Sequence, residues 1–310
     1  MTVALVTHKA CLAHDTGQGH PERVDRLRSV LAALGEGLFP DLLREEAPCA
    51  TAAQLEAVHD PAYVAQLLAL DIPKGEHAAL DADTILSAGS IEAALRAAGA
   101  AVHAVDMVME GRADAAFAAV RPPGHHAEPA RGMGFCLFNN VAVAAHHARS
   151  RWGLKRIAVA DFDVHHGNGT QAAFWDDADL FFASSHQSPF YPGTGARHER
   201  GAASNIANAP LPSGTGSQGF REAWRHDLLP AIDAFAPELL LISAGFDAHR
   251  DDPLAGLMLD EADYGWITGE LCDVARRHCQ GRIVSLLEGG YDLDALGRSV
   301  TAHVRALEGL

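Results

Sequence analysis

The chain has 310 residues, 48% of them hydrophobic, enough to bury the core of one large α/β domain or two modest ones. A net charge of −16 argues against non-specific nucleic-acid binding and leaves a surface that tolerates cationic partners. Five cysteines without CxxC spacing fit a reducing compartment. The absence of a signal-like N-terminus or an apolar run of about 18 residues points to a cytoplasmic chain that does not span a membrane.

In chain order, Val3 to Val6 reads as a first strand, followed by a polar loop containing GQGHPERVDR. Asp25 to Leu34 has helical apolar spacing and stops at Gly35. A helix follows Pro61, with Val64, Leu67 and Leu68 on one face. Ser90 to Met109 is a long Ala-rich helix, with Ser90 as candidate cap and Gly111 as stop. Ala115 to Val120 reads as a strand leading into RPPGHHAEPARGMGFCLFNN, and Asn140 to Arg151 as a helix. The β-branched run Ile157 to Ala160 is a buried strand that enters DFDVHHGNGT, Asp161 to Thr170.

Leu180 to Ala183 is a further short strand. From Ser184 to Gly219 the chain is rich in Gly, Pro and Ser and is expected to be irregular, either shaping a site or contacting a second subunit of a homo-oligomer. Phe220 to Phe235 is helical, Leu239 to Ser243 is a strand leading into AGFDAHRDDP, and Asp260 to Cys279 is helical. Ile283 to Leu287 is a strand followed by EGGYD, and Leu293 to Leu307 closes the chain as a helix. Alternating strands and helices imply a parallel sheet covered on both faces. No repeat or linker divides the chain, so residues 1–310 are expected to form a single domain.

Four polar motifs, RPPGHH, DFDVHH, SAGFD and EGGYD, each follow a predicted strand. Ligands of open α/β sheets bind outside those strand ends, so the four are expected to converge. In extended backbone Asp161, Asp163 and His165 would share a face, with His166 on the other. Asp163, His165 and Asp247 offer two oxygens and one nitrogen, the pattern of a catalytic zinc site with an open position, although such ligands also suit iron or manganese. Taken alone, Asp247 would more often be a helix cap or a surface carboxylate.

His125 and His126 can supply a base and a charge-stabilising imidazole, each needing a partner on its far nitrogen. Asp161 and Asn168 are the candidates, and one anionic and one neutral partner would push the two pKa values apart. Tyr291, after two glycines, can donate to a developing oxyanion. Together these groups describe hydrolysis of an amide by metal-activated water.

RPPGHHA, GFCLFNN, DFDVHHGNGT, SAGFDAH and LEGGYD resemble the signature of the zinc-dependent histone deacetylases and their prokaryotic relatives, and GHPERVDRLR resembles their first loop. The likeness runs from about His20 to Tyr291 and is nearest to the class II branch, because Asn168 stands where class I members carry an aspartate. It implies an arginase–deacetylase α/β fold, with a central, mostly parallel sheet of about eight strands flanked by helices. The activity it implies is removal of an acyl group from an amine at the end of a narrow tunnel.

By this resemblance one Zn2+ is held by Asp163, His165 and Asp247. His125 and His126 are the tandem histidines, with His126 as general base and acid, and Tyr291 is the oxyanion donor. Gly134, Phe135 and Tyr191 line the tunnel, Tyr191 standing where the family usually has Phe. Asp161, Asp163, His165, Ser184 and Ser185 form a structural K+ site, and Phe174, Asp177 and Leu180 a second. Arg26 lies in an internal exit channel.

Acetylpolyamine-directed relatives carry a glutamate seven residues after the last metal ligand; here that position is Leu254, as in lysine-directed members. Asp83, on the opposite rim, can meet a peptide N–H or a cation. The expected partner is therefore an acetylated lysine peptide or protein, with a small acetylated amine as the alternative. Two further rivals are weaker. An arginase-like manganese pair would want carboxylates near Gly167 and His249, where the chain has neither. A silent binding protein of the same fold would have lost the tyrosine or a ligand, and this chain keeps them.

Overall fold

Backbone runs that are apolar on both faces must be covered on both faces, and four such runs set the centre of the molecule. In the computed structural model, which describes residues 2–309, the strands are β1 (Val3–Thr7), β2 (Leu43–Glu46), β3 (Ala78–Ala79), β4 (Ile85–Leu86), β5 (Ala115–Ala118), β6 (Ile157–Asp161), β7 (Leu180–Gln187), β8 (Ile206–Leu211), β9 (Leu239–Ala244) and β10 (Ile283–Leu287). Every residue of β5, β6, β9 and β10 is buried, and these strands occupy the middle of an eight-stranded sheet ordered β2-β1-β5-β10-β9-β6-β7-β8. All its pairings are parallel. A small antiparallel β3–β4 pair stands apart.

Helices flank the sheet in two groups. Ser90–Met109 packs on Asn140–Trp152, while Leu293–Glu308 packs on Glu261–His278 and Val24–Ala33. The alanines along Ser90–Met109 are all buried, so helix and sheet approach closely. None of the described helices is long and apolar enough to cross a membrane. All five cysteines are free, and only Cys49 is exposed.

The differences from the expected elements have local causes. The two edge strands, β2 and β8, were not anticipated: β2 is the polar sequence LREE and β8 carries Pro210. An edge strand is paired on one side only, so it needs neither continuous apolarity nor every N–H. The irregular region is accordingly shorter than Ser184 to Gly219, because β7 continues through Ser184, Ser185 and His186, whose buried polar groups find side-chain or backbone partners. Helix Ser90–Met109 is preceded by Gly89 rather than capped by Ser90; the Ser90 hydroxyl instead accepts from Ser87 N at 2.7 Å. Leu68 is exposed, unlike Val64 and Leu67.

Candidate active site

The four polar motifs follow β5, β6, β9 and β10, the adjacent central strands, and so leave the sheet side by side at one edge. Strand alternation is not what gathers DFDVHH, because the ladder ends at Asp161. Beyond it, two side chains catch the backbone: Asp163 N donates to Asp161 Oδ1 at 3.1 Å, and His165 N to Asp163 Oδ1 at 2.9 Å. These aspartate turns curl the chain so that Asp163 and His165 face one point. His166 does turn away, toward Thr194 and Gln171.

Asp163, His165 and Asp247 are buried, and their ligand atoms lie within 4.8 Å of one another. His165 Nδ1 is 3.0 Å from Asp163 Oδ1 and 3.1 Å from Asp247 Oδ2. Ligands about 2.0–2.2 Å from a tetrahedral ion would stand about 3.3 Å apart, so the set fits a divalent cation after small adjustment. Burial alone would lower the His165 imidazole, but hydrogen bonds to the two aspartates push it up to about 10, and a dication would displace the proton it then carries.

The carboxylates are backed by bare backbone. A Cβ at Gly245 would lie 2.0 Å from Asp163 Oδ2, and one at Gly289 would lie 2.0 Å from Asp247 Oδ2. Gly289 N also donates to Asp163 Oδ2 at 2.8 Å.

The tandem histidines have unequal partners, as their sequence context predicts. His125 Nδ1 is 3.0 Å from Asp161 Oδ2, and His126 Nδ1 is 2.8 Å from Asn168 Oδ1. Burial works against charge on both rings. For His125 it is outweighed by Asp161, Asp163 and Glu288, which push the ring up to about 10. For His126, burial and then the neighbouring His125 and His165 hold the ring well below its usual value.

The five expected wall residues, Gly134, Phe135, Tyr191, Leu254 and Asp83, line one cavity of about 250 Å³ together with His125, His126, His165 and Tyr291. Phe135 sits at φ 69°, a costly conformation for an aromatic residue, and its N–H donates to Thr84 Oγ1. The Tyr191 ring meets His126 edge-on at 5.2 Å, while neighbouring Phe190, which the sequence reading passed over, stacks on His165 at 5.2 Å. Burial holds the Tyr291 phenol well above its usual value, with Arg26 opposing, so it keeps its donor hydrogen. The Arg26 guanidinium lies 4.9 Å from the centre of that ring and is itself fully buried.

Several supporting groups were missed in the sequence. Glu288 accepts from Gly124 N at 2.7 Å and His125 N at 3.2 Å, tying the histidine loop to the end of β10. Asp252 accepts from Tyr291 N at 2.7 Å and Leu254 N at 3.0 Å. Glu22 is paired with both Arg26 and Arg121, and Glu128 accepts from Asn168 Nδ2 at 2.8 Å. Each lies in or beside a motif, Glu22 in GHPERVDRLR, Glu128 just after RPPGHHA, Asp252 in AGFDAHRDDP and Glu288 in LEGGYD, and that position was the available signal.

The two expected monovalent sites differ. Asp161 pairs with Ser184 in the β6–β7 ladder. The Ser184 hydroxyl contacts His186 and that of Ser185 accepts from Trp224, so both side chains already have partners within the protein. At the second site the carbonyls of Phe174, Asp177 and Leu180 do converge, but on a side chain of the protein itself: Asn205 Nδ2 donates into them at 2.8, 3.1 and 2.9 Å. The amide fills the space a potassium ion would take, and the residues there do not fit one.

Comparison with known proteins agrees with this geometry. Residues 20–307 match the family model described as a histone deacetylase domain. The chain is 39% identical over 324 residues to the chloroplastic histone deacetylase 14 of Arabidopsis thaliana, covering 97% of this chain and 75% of that one. It is 40% identical over 276 residues to the histone deacetylase-like amidohydrolase of Pseudomonas aeruginosa, covering 87% and 71%. The crystal structure of the HDA15 HD domain superposes with a TM-score of 0.91 at 37% identity, over 99% of this chain and 88% of that one. The chain belongs to the histone deacetylase family.

Proposed function

We propose that this chain is a zinc-dependent deacetylase acting on acetyl-lysine in peptides or proteins. What carries the reading is the meeting, in one cavity, of a neutral histidine, a cationic histidine and a protonated phenol around a buried Asp–His–Asp set. A zinc ion held by Asp163, His165 and Asp247 would polarise the substrate carbonyl and make a water more acidic. With its Nδ1–H committed to Asn168, His126 takes the attacking water's proton on Nε2 and returns it to the departing amine. His125, protonated against Asp161, stabilises the negative charge that builds up, and the Tyr291 hydroxyl donates to the carbonyl oxygen as it becomes an oxyanion.

The cavity's aromatic walls, Phe135 and Tyr191, suit the extended alkyl chain of lysine, and Leu254 places no countercharge at the rim. Asp83 favours a second reading, an acetylpolyamine or other small acylated amine, because this rim carboxylate stands beside another, Asp81. In the same reading residues 1–310 form a single catalytic domain, and Asp161, Ser184 and Ser185 enclose a structural potassium ion.

Steady-state hydrolysis of a fluorogenic acetyl-lysine peptide, run beside N-acetylputrescine and N-acetylspermidine after zinc loading, tests this. The peptide should turn over, and Tyr291→Phe should lower kcat by about 100- to 1000-fold. His126→Ala should lower it by about 100- to 10,000-fold. Turnover confined to the polyamines would favour the second reading. Silence on all three with zinc bound would point to another acyl amine or to a binding role and sink the proposal.

A further inference from the structure

We propose that Glu128 is a positioning residue for His126, acting through the amide of Asn168; the proposal rests on the reading of His126 as the base. An amide oxygen only accepts, so Asn168 Oδ1 at 2.8 Å fixes the ring hydrogen on His126 Nδ1 and leaves the Nε2 lone pair for chemistry. A primary amide can equally turn its nitrogen to a ring. Reversed, Asn168 would donate to Nδ1, the hydrogen would move to Nε2, and the base would be blocked.

The other end of the amide decides between the two orientations. Asn168 Nδ2 donates to Glu128 Oε1 at 2.8 Å, whereas its other acceptors, the His126 carbonyl and Met133 Sδ, are both at 3.4 Å. A carboxylate also only accepts, so Glu128 tolerates one orientation of the amide and excludes the reverse. The adjacent histidines therefore differ by one interposed group. His125 meets its carboxylate directly at 3.0 Å, while His126 meets one across an amide. Such an arrangement orients the ring without a charge in contact with it. Glu128 exchanges no proton: the one that moves goes from water to Nε2 and then to the amine, and Nδ1–H stays in place.

A mutant cycle at positions 128 and 168 of the zinc-loaded enzyme, with kcat and KM measured separately, is the test, joined to ¹⁵N imidazole shifts of histidine-labelled protein. The His126 signals are assigned by their loss in His126→Gln. Glu128→Ala should lower kcat by about 10- to 100-fold with KM nearly constant, and should move His126 toward the Nε2–H tautomer. Asn168→Asp sets a second carboxylate against Glu128 and should be poor. Adding Glu128→Gln gives that carboxylate a donor and should recover about tenfold over Asn168→Asp alone. An unchanged kcat and tautomer in Glu128→Ala, or a double variant no better than Asn168→Asp, overturns the proposal. If the wild type hydrolyses no acetylated amine, the functional reading fails separately, and the tautomer still decides the role of Glu128.

Discussion

The floor and the rim of the cavity are built differently. The floor residues Asp163, His165, Asp247, His125 and His126 come from the ends of adjacent central strands, are buried, and are held by hydrogen bonds to backbone, to each other or to the side chains of Asp161 and Asn168. At the rim, Tyr191 is 37% and Leu254 36% exposed, and both, like Asp83, sit on connecting segments outside the strands. A change at the floor must disturb the sheet or a buried charge. A change at the rim alters what the cavity meets first, which suits a protein whose chemistry is fixed and whose substrate choice can vary.

Among changes that spare every reacting side chain, the largest effect should come from a single methyl group at the floor. Gly289→Ala would put a Cβ 2.0 Å from Asp247 Oδ2 and 2.6 Å from Asp163 Oδ2, so both carboxylates must move. Zinc affinity and kcat/KM should each fall by at least about 100-fold while far-UV circular dichroism stays native. Zinc titration with retained tight binding would show that the floor is softer than its packing suggests.

How much of this was legible in the sequence follows the same division. The four central strands announced themselves as apolar runs, and the polar motifs behind them located every floor residue. Edge strands β2 and β8 stayed hidden because a strand paired on one side can be polar or carry a proline. Glu288, Asp252 and Glu128 were passed over for another reason. Their place in or beside the motifs marks them as candidates, but their role depends on which backbone or amide group faces them, and that is set only once the chain is folded. The second monovalent site was misjudged because nothing in the spacing of Phe174, Asp177 and Leu180 tells that Asn205, 25 residues past Leu180, inserts its amide among their carbonyls.

An intermediate effect should appear beneath the floor as acid sensitivity. His303 is fully buried against Phe162 and Phe246, with its ring nitrogens on Thr268 and Ser285, and burial lowers it to about 3. The folded chain therefore refuses a proton that the unfolded chain accepts near pH 6.5. The associated stability is complete above that pH and is lost progressively as pH falls toward 3. At pH 5 the loss is about 2 kcal/mol for this one histidine. His14, His59, His166 and His186, lowered by burial to between about 3 and 4, add to it in the same direction. In denaturant titrations at pH 7.5 and 5.0, His303→Gln should lose about 2 kcal/mol less than the parent between the two, whereas Leu254→Ala should lose as much as the parent. Equal losses in the parent and His303→Gln would remove the histidine from this account.

The smallest effect belongs to the rim. Leu254→Glu would add a carboxylate at an exposed position on the cavity that Asp83 also lines, leaving the Asp–His–Asp set and both histidines untouched. Two rim carboxylates would then face a distal ammonium through water, where an exposed ion pair is worth about 0.2–1 kcal/mol. The expected result is a KM for N-acetylspermidine lowered by about two- to fivefold, with kcat for that substrate nearly unchanged and the gain shrinking as salt is raised. A substitution that moved kcat instead would mean that the rim reaches the reacting atoms, and the division between floor and rim would no longer hold. Salt independence would point elsewhere, to a change in rim shape, since only a screened charge pair weakens with ionic strength.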